Sequence, residues 1–158
     1  MLYHTHYRDS VYCQLLLFYP QLSNPRIEDE IHEGRKRIDL TFSNVAETGF
    51  FHLLGTLYDV PCSTIMVECK NYGKDIKNPE IDQIAGRFSA KRGKFGIICC
   101  RSIDNKKLFV ERERDTVKDD RGFIIHLTDE DIIELLCFKK ENIPVDDFMV
   151  KKYNEIIK

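Results

Sequence analysis

The chain of 158 residues is long enough for one domain of ordinary size. Such a domain buries about two-thirds of the surface that its unfolded chain exposes. Hydrophobic residues make up 42% of the sequence and charged residues 32%, a composition typical of globular proteins and unlike that of disordered chains. The 24 basic and 26 acidic residues give a formal net charge of −2, so a nucleic-acid partner would have to bind at a local basic patch.

The apolar runs and the cysteines indicate a cellular compartment. No apolar run approaches the roughly 20 residues that a membrane span needs, and Leu15–Tyr19 follows no basic segment and ends at Pro20. The six cysteines form no CxxC pair, and Cys69, Cys99 and Cys100 lie in apolar runs, where a thiol packs as a small hydrophobic group. We therefore expect a soluble protein of the reduced cytoplasm, with neither a membrane partner nor a structural zinc site.

The first half of the sequence predicts a helix followed by three strands. Residues 7–19 carry apolar side chains at helical spacing, and Pro20 ends the run. Period-two alternation predicts strands over Ile27–His32 and Lys36–Phe42. The second of these strands is predicted to have one apolar face, made of Ile38, Leu40 and Phe42. An apolar insert within residues 45–60 is typical of a short helix, and Thr64–Lys70 is the clearest strand.

The second half predicts alternating helices and strands. A helix is expected from Asn78, with Pro79 in its first turn and Gly93 as its C-terminal stop. The later elements are a buried strand over Phe95–Cys100, a helix over residues 105–118, a strand over Phe123–Leu127, a helix from Thr128 with Asp131 in the capping-box position, and a last helix from about Asp146. The order α-β-β-β-α-β with C-terminal additions predicts an α/β domain.

Three charged residues lie where strand patterns otherwise place apolar ones. Glu68 and Lys70 project from one face of the same strand, and Asp39 occupies the middle of another. If these strands are neighbours, two carboxylates converge beside an ammonium group. Such a set suits a hard cation such as Mg²⁺, which leaves positions for water and a phosphate oxygen, while the lysine positions or deprotonates the attacking water. The alternative is an ordinary Glu–Lys ion pair at an exposed sheet edge.

These residues carry a resemblance to a known nuclease superfamily. Asp39, the Glu68-x-Lys70 motif, Gln83 in the following helix and the element order resemble the PD-(D/E)xK, or restriction-endonuclease-like, superfamily. The resemblance covers about residues 3–101 and leaves 102–158 as an extension of a single domain, 1–158. It implies a mixed central sheet flanked by helices. The Mrr-like or defence-associated branch is similar over Gly34–Asp39, Val67–Tyr72 and Asn78–Phe88, although Ile38 replaces the proline of the motif.

The resemblance also implies roles for single residues. Asp39 and Glu68 would be ligands of Mg²⁺, for which Mn²⁺ would substitute, and Lys70 would orient the water. Gln83 would support the site or contact the nucleic acid. A further acid is often present in the superfamily, and the candidates here are Asp9 on the first helix, Glu30 on the first strand, and the nearby Glu28 and Glu33.

Basic residues near these motifs are candidates for phosphate contacts. Glu80, Gln83 and Arg87 have the spacing of one helix face, and the guanidinium of Arg87 can fork onto a phosphate. Phosphate contacts position a duplex without reading its sequence. The flanking basic residues that we expect to supply them are Arg35, Lys36, Arg37, Lys91, Arg92 and Lys94.

The sequence therefore leads to the hypothesis of a Mg²⁺-dependent endonuclease that cleaves DNA in restriction, phage defence or repair. The expected partner is double-stranded DNA, with a homodimer, a further domain or another protein selecting the target. One alternative is a catalytically silent nuclease-fold module that binds DNA or another component of a larger assembly. Another is a structural domain whose charged residues form a buried ion-pair network.

Overall fold

A mixed sheet of five strands forms the centre of the computed structural model, which describes residues 17–31, 33, 36–70 and 78–158. The strands lie in the spatial order of the sequence and are β1 (Leu22–Ile31), β2 (Lys36–Asn44), β3 (Thr64–Lys70), β4 (Phe95–Cys100) and β5 (Phe123–Thr128). The helices in the described residues are α1 (Gly49–Thr56), α2 (Asn78–Ala85), α3 (Lys106–Lys118), α4 (Asp129–Lys140) and α5 (Asp146–Ile157). Of these helices, none is long and apolar enough to cross a membrane.

The strand directions change at β3. β1, β2 and β3 pair antiparallel, whereas β3, β4 and β5 pair parallel. The register aligns Leu40, Val67, Ile97 and Ile125 in one row across four neighbouring strands. This row shows that β3 is an interior strand, so the charged residues that it carries lie within the sheet and not at its edge.

The two faces of the sheet cover separate hydrophobic cores. On one face, α1, α4 and α5 pack over the row through Val67 and contribute Phe51, Leu135 and Met149. On the other face, Met66 packs against residues from α2 and α3, among them Ile84. The side chains of α2 and Met66 therefore flank the face from which Glu68 projects.

Several predicted elements are confirmed. The bounds of β3 and β4 match the sequence prediction at both ends, because apolar alternation and a continuous apolar run mark them clearly. The capping box of α4 is present: Thr128 Oγ1 accepts from the Asp131 N–H at 3.3 Å, and Asp131 Oδ2 accepts from the Thr128 N–H at 2.9 Å. The C-terminal additions α3, β5, α4 and α5 are also as predicted, and β5 extends the sheet.

The helix from Asn78 is shorter than predicted. It ends at Ala85, where tight turns follow, and the Arg87 N–H donates to the Ile84 carbonyl at 3.0 Å. Gly93 is not its stop. Gly93 has a φ of 142°, and a Cβ there would lie 2.5 Å from the carbonyl oxygen of Thr64, so glycine allows the chain to pass close to the start of β3.

The faces of β2 also differ from the prediction. Leu40 and Phe42 pack in the core under α1, but Ile38 packs in the core under α2. The regular pairing of β2 with β3 ends at Leu40 and Val67, and the alternation of β2 is lost just where Asp39 lies. The prediction that Ile38 shares a face with Leu40 and Phe42 is therefore wrong.

The N-terminal predictions are tested only in part. Residues 7–16 of the first predicted helix lie outside the described residues, whereas Leu17 and Phe18 are helical and buried. β1 begins at Leu22, five residues before the predicted strand (22 against 27). Its first half contains Pro25 and a register shift between Ser23 and Arg26. For that reason the sequence shows no apolar–polar alternation that would predict a strand there.

Candidate active site

Glu68 and Lys70 lie at the carboxyl end of β3, on the face covered by α2. Glu68 is 1% exposed, and the Lys70 side chain is 11% exposed. Lys70 Nζ lies 3.5 Å from Glu68 Oε2. A buried carboxylate is costly unless it is paired, so this ammonium group neutralises part of the charge that β3 carries into the interior.

Asp39 lies beside this pair on β2. Its Oδ2 accepts a hydrogen bond from the backbone N–H of Cys69 at 2.9 Å. Cys69 separates Glu68 from Lys70 in β3, so this bond fixes the Asp39 carboxylate next to both charged residues. The structure therefore brings together Asp39, Glu68 and Lys70, the three residues of the sequence motif.

Gln83 joins the site from α2. Its Oε1 accepts from Lys70 Nζ at 3.2 Å, so Lys70 is held between a carboxylate of its own strand and an amide of the facing helix. Gln83 itself is exposed. Its position fits the predicted supporting role, which remains a prediction.

Arg87 is the residue whose position differs most from the sequence interpretation. It lies in the turn after α2 and not on the helix face, and it is 7% exposed. Its Nη1 contacts Glu68 Oε1. Burial lowers the pKa of Arg87 below its ordinary value, and the negative charge of Asp39 partly offsets that effect. Arg87 is thus a cation that faces both carboxylates.

The sequence reasoning missed the contact between Arg87 and Glu68. The helical spacing of Glu80, Gln83 and Arg87 continues past the true end of α2, so the spacing alone predicts Arg87 on the polar helix face. A signal was present in Gly86, which weakens a helix. A fully buried glutamate also has two oxygens to satisfy, and Lys70 satisfies only one of them.

Asp39 and Glu68 are the candidate ligands of a metal ion at this site. Among the described residues, no group of three or more histidine, cysteine, aspartate or glutamate side chains is arranged to hold a metal. The carboxylates of Asp39 and Glu68 are nevertheless hard oxygen ligands, and both act on the same cation, Arg87. Mg²⁺ is commonly held by one or two carboxylates and takes its other ligands from water and substrate phosphates. These residues fit that mode of binding and do not form a complete protein cage.

The auxiliary acid stays a prediction. Glu28 is exposed and pairs with Arg37 at 3.4 Å, and Glu33 is exposed. The backbone of Glu30 pairs with that of Arg37 in the sheet. Asp9 and the side chain of Glu30 lie outside the described residues.

The candidate phosphate-binding residues have different surroundings. Arg92 Nη2 donates to the Arg87 carbonyl at 3.0 Å, and Lys94 Nζ donates to the Asp120 carbonyl at 3.1 Å. Lys91 and Arg37 are exposed. Arg35 and the side chain of Lys36 lie outside the described residues. Their contacts with nucleic acid remain predictions.

Cys99 and Cys100 of β4 are not activated nucleophiles. Burial and nearby carboxylates raise the pKa of Cys100 to about 12. The pKa of Cys99 is also raised, by a hydrogen bond with Cys69 and by burial. Both thiols are therefore protonated at neutral pH, as expected of residues that pack as small hydrophobic groups.

No protein-family model matches the chain, and no curated protein sequence matches it. Among solved structures, the chain is similar to the DNA modification-dependent restriction endonuclease AspBHI, with 16% sequence identity and a TM-score of 0.53 over 96% of this chain. The chain spans 35% of the length of that protein, about a third. The likeness shows that the chain has a restriction-endonuclease-like α/β fold, as its sequence motifs predicted.

Proposed function

We propose that the chain is a metal-dependent endonuclease that hydrolyses phosphodiester bonds of DNA. The observation that carries the proposal is the position of Lys70 Nζ, 3.5 Å from Glu68 Oε2 and 3.2 Å from Gln83 Oε1, next to the Asp39 carboxylate. A fold shared with a DNA restriction endonuclease supports the same conclusion. A buried Glu and a lysine inside a sheet cost stability, and catalysis is a reason to keep them there.

Each side chain has a distinct task in this mechanism. Asp39 and Glu68 would hold Mg²⁺, which supplies Lewis acidity and an activated water when bound. Lys70 would orient the attacking water and stabilise the negative charge that develops on the phosphate oxygens. Gln83 holds the ammonium group in place from α2, so that Lys70 does not lose its orientation when substrate binds.

The finer features of the proposed function rest on the sequence motifs alone. We propose double-stranded DNA as the substrate, Mn²⁺ as a substitute metal, and restriction, phage defence or repair as the setting. Because the chain spans 35% of the length of AspBHI, a further domain, a second copy or a partner would select the target.

A second candidate is a catalytically silent module that binds DNA. It is favoured by one observation: Lys70 and Arg87 neutralise both oxygens of Glu68 without any metal. In that case the ion pairs would stabilise the domain, and no cation would be needed for its function.

Cleavage assays separate the two candidates. Plasmid and linear DNA are incubated with the full chain and Mg²⁺ or Mn²⁺, beside Lys70→Ala and Lys140→Ala. Lys140 is an exposed lysine of α4, a helix that packs on the opposite face of the sheet. The proposal expects cleavage by the wild type and by Lys140→Ala but not by Lys70→Ala. DNA binding without cleavage by the wild type would favour the silent module instead.

A further inference from the structure

The charges around Glu68 sum to zero without a metal. Glu68 Oε1 contacts Arg87 Nη1, and its Oε2 lies 3.5 Å from Lys70 Nζ. Asp39 adds a second negative charge, which acts on Arg87. Two carboxylates and two cations therefore form a neutral and largely buried cluster. A divalent cation added to it would leave an excess of two positive charges in a place with little solvent to screen them.

Of the two cations, Arg87 is the one placed to leave. Lys70 is tied to Gln83 at 3.2 Å as well as to Glu68, so its ammonium group stays even when Glu68 turns to another ligand. The backbone of Arg87 is anchored, because its carbonyl accepts from Arg92 Nη2 at 3.0 Å. Rotation about the side-chain bonds of Arg87 moves its guanidinium, which contacts Glu68, without moving the backbone. The guanidinium can thus move while the turn that carries it stays in place.

We propose that Arg87 occupies the metal-binding side of Glu68 in the metal-free protein and must leave it before a divalent cation can bind. This inference rests on the proposed function, since it concerns the same site. A guanidinium and a divalent cation would both bind the Glu68 oxygen that Arg87 contacts, and two positive charges cannot share it. Once displaced, Arg87 lies beside the site where the scissile phosphate would bind, and its planar fork matches a phosphodiester. The Arg87 guanidinium would then pair with a phosphate of the nucleic-acid backbone instead of with the Glu68 carboxylate.

Calorimetric titration with Mn²⁺ tests the competition directly, without DNA. The variants are Arg87→Gln, which removes the positive charge, and Arg87→Lys, which keeps it. Arg121→Gln is the matched control, because Arg121 is an arginine that pairs with Asp82 of α2 at 2.7 Å, outside the site. We expect Arg87→Gln to bind Mn²⁺ at least about tenfold more tightly than the wild type. Arg87→Lys and Arg121→Gln are expected to stay close to the wild-type affinity.

A second measurement covers the case in which Arg87→Gln does not fold, because that change leaves Glu68 with less compensation. The arginine Nε–H signals of the wild type are followed by NMR during a Mg²⁺ titration, with Arg87→Lys identifying the signal of Arg87. We expect this signal to shift and to exchange faster with water as Mg²⁺ binds. A signal that stays unchanged at saturating Mg²⁺ would overturn the inference.

The outcomes separate this inference from the proposed function. Equal or weaker Mn²⁺ binding by Arg87→Gln, together with DNA cleavage by the wild type, overturns the inference and leaves the nuclease proposal standing. Tighter Mn²⁺ binding by Arg87→Gln, together with no DNA cleavage by the wild type, supports the inference and overturns the nuclease proposal. If neither protein binds Mn²⁺, both are overturned.

Discussion

Lys152 and His126 meet in the interior of the C-terminal extension, where Lys152 Nζ lies 3.3 Å from His126 Nε2. Lys152 also donates to Asp131 Oδ2 at 2.7 Å. An ammonium group only donates, so His126 accepts on Nε2, carries its proton on Nδ1 and donates to Glu113 Oε1 at 3.0 Å. This network joins α3, β5, α4 and α5, so it fixes the helices of the extension to the sheet.

Replacing Lys152 tests how much this network stabilises the fold. Lys152→Met leaves Asp131 without its ammonium partner and His126 Nε2 without its donor. We expect the free energy of unfolding to fall by about 3 kcal/mol, the cost typical of breaking a buried ion pair from one side. Urea denaturation measures it, with Lys151→Met as the control, because Lys151 is the exposed neighbour on α5. Equal stability of the two variants would contradict the assignment.

Glu113 gives the network a pH dependence. Burial raises the pKa of Glu113 above its ordinary value of 4.5, although the hydrogen bond from His126 and the charge of Lys152 act in the opposite direction. The folded state then binds this proton more tightly than the unfolded state does. The stability that Glu113 contributes is therefore fully present below pH 4.5 and is lost as the pH rises through the folded pKa.

Glu113→Gln removes that titration and keeps an acceptor for His126 Nδ1–H. We expect the stability of this variant relative to the wild type to increase as the pH rises above 4.5 and then to level off. Thermal melting between pH 4 and 8 (roughly the range over which a raised carboxyl pKa acts) measures the difference. Glu111→Gln, on the exposed side of the same helix, serves as the control. A difference that stays constant over this range would contradict the prediction.

The sequence predicted that Asp39, Glu68 and Lys70 lie together, whereas it gave no indication of this network, and the reason is physical. Alternation in Thr64–Lys70 fixes the face of Glu68 and Lys70, and a single antiparallel pairing then brings Asp39 beside them. The network takes Glu113, His126, Asp131 and Lys152 from four different elements whose packing no local pattern encodes. The one available signal was His126, a polar residue inside the apolar run Phe123–Thr128.

Divalent cations should stabilise the protein through Asp39. A ligand that binds only the folded state raises the melting temperature, and the shift grows with its concentration. We expect Mn²⁺ to raise the melting temperature of the wild type by several degrees. At free Mn²⁺ concentrations of up to about 100 times the dissociation constant, the free energy of unfolding should rise by about 1–3 kcal/mol. Asp39→Asn should lose most of the shift, although its amide oxygen can still accept from the Cys69 N–H. Asp115→Asn, an exposed change on α3, should respond like the wild type. Equal shifts in all three proteins would rule out Asp39 as a ligand.

Gln83 should act by positioning Lys70. Gln83→Ala removes the acceptor that lies 3.2 Å from Lys70 Nζ, and we expect DNA cleavage at saturating DNA to slow by about tenfold, with little change in Mn²⁺ affinity. Gln83→Glu keeps an acceptor at this position and should retain more activity than Gln83→Ala. Single-turnover cleavage and calorimetry measure the two quantities. A loss of metal affinity and activity together, equal in both variants, would indicate a merely structural role.

Glu68 and Lys70 should differ in the step that each supports, although they share one face of β3. A carboxylate holds the cation, so Glu68→Gln should lower metal affinity and cleavage together. Removing an ammonium group does not weaken the ligands of a nearby divalent ion, so Lys70→Ala should bind the metal at least as tightly as the wild type and keep most of its DNA binding. Its turnover should nevertheless fall by a factor on the order of a hundred or more. Lys70→Arg should rescue little, because a planar guanidinium is larger than an ammonium group and cannot occupy the same point between Glu68 and Gln83.

The measurements that separate these roles are single-turnover DNA cleavage and calorimetric metal binding on the same preparations. Lys140→Ala again serves as the control for the loss of a lysine charge. If Lys70→Ala cleaves at the wild-type rate, Lys70 is only the ion-pair partner of Glu68. If Lys70→Ala loses metal affinity as strongly as Glu68→Gln does, the ammonium group acts on metal binding and not only on cleavage. The 3.5 Å contact between Lys70 and Glu68 would then hold the Glu68 carboxylate in the position that binds the metal.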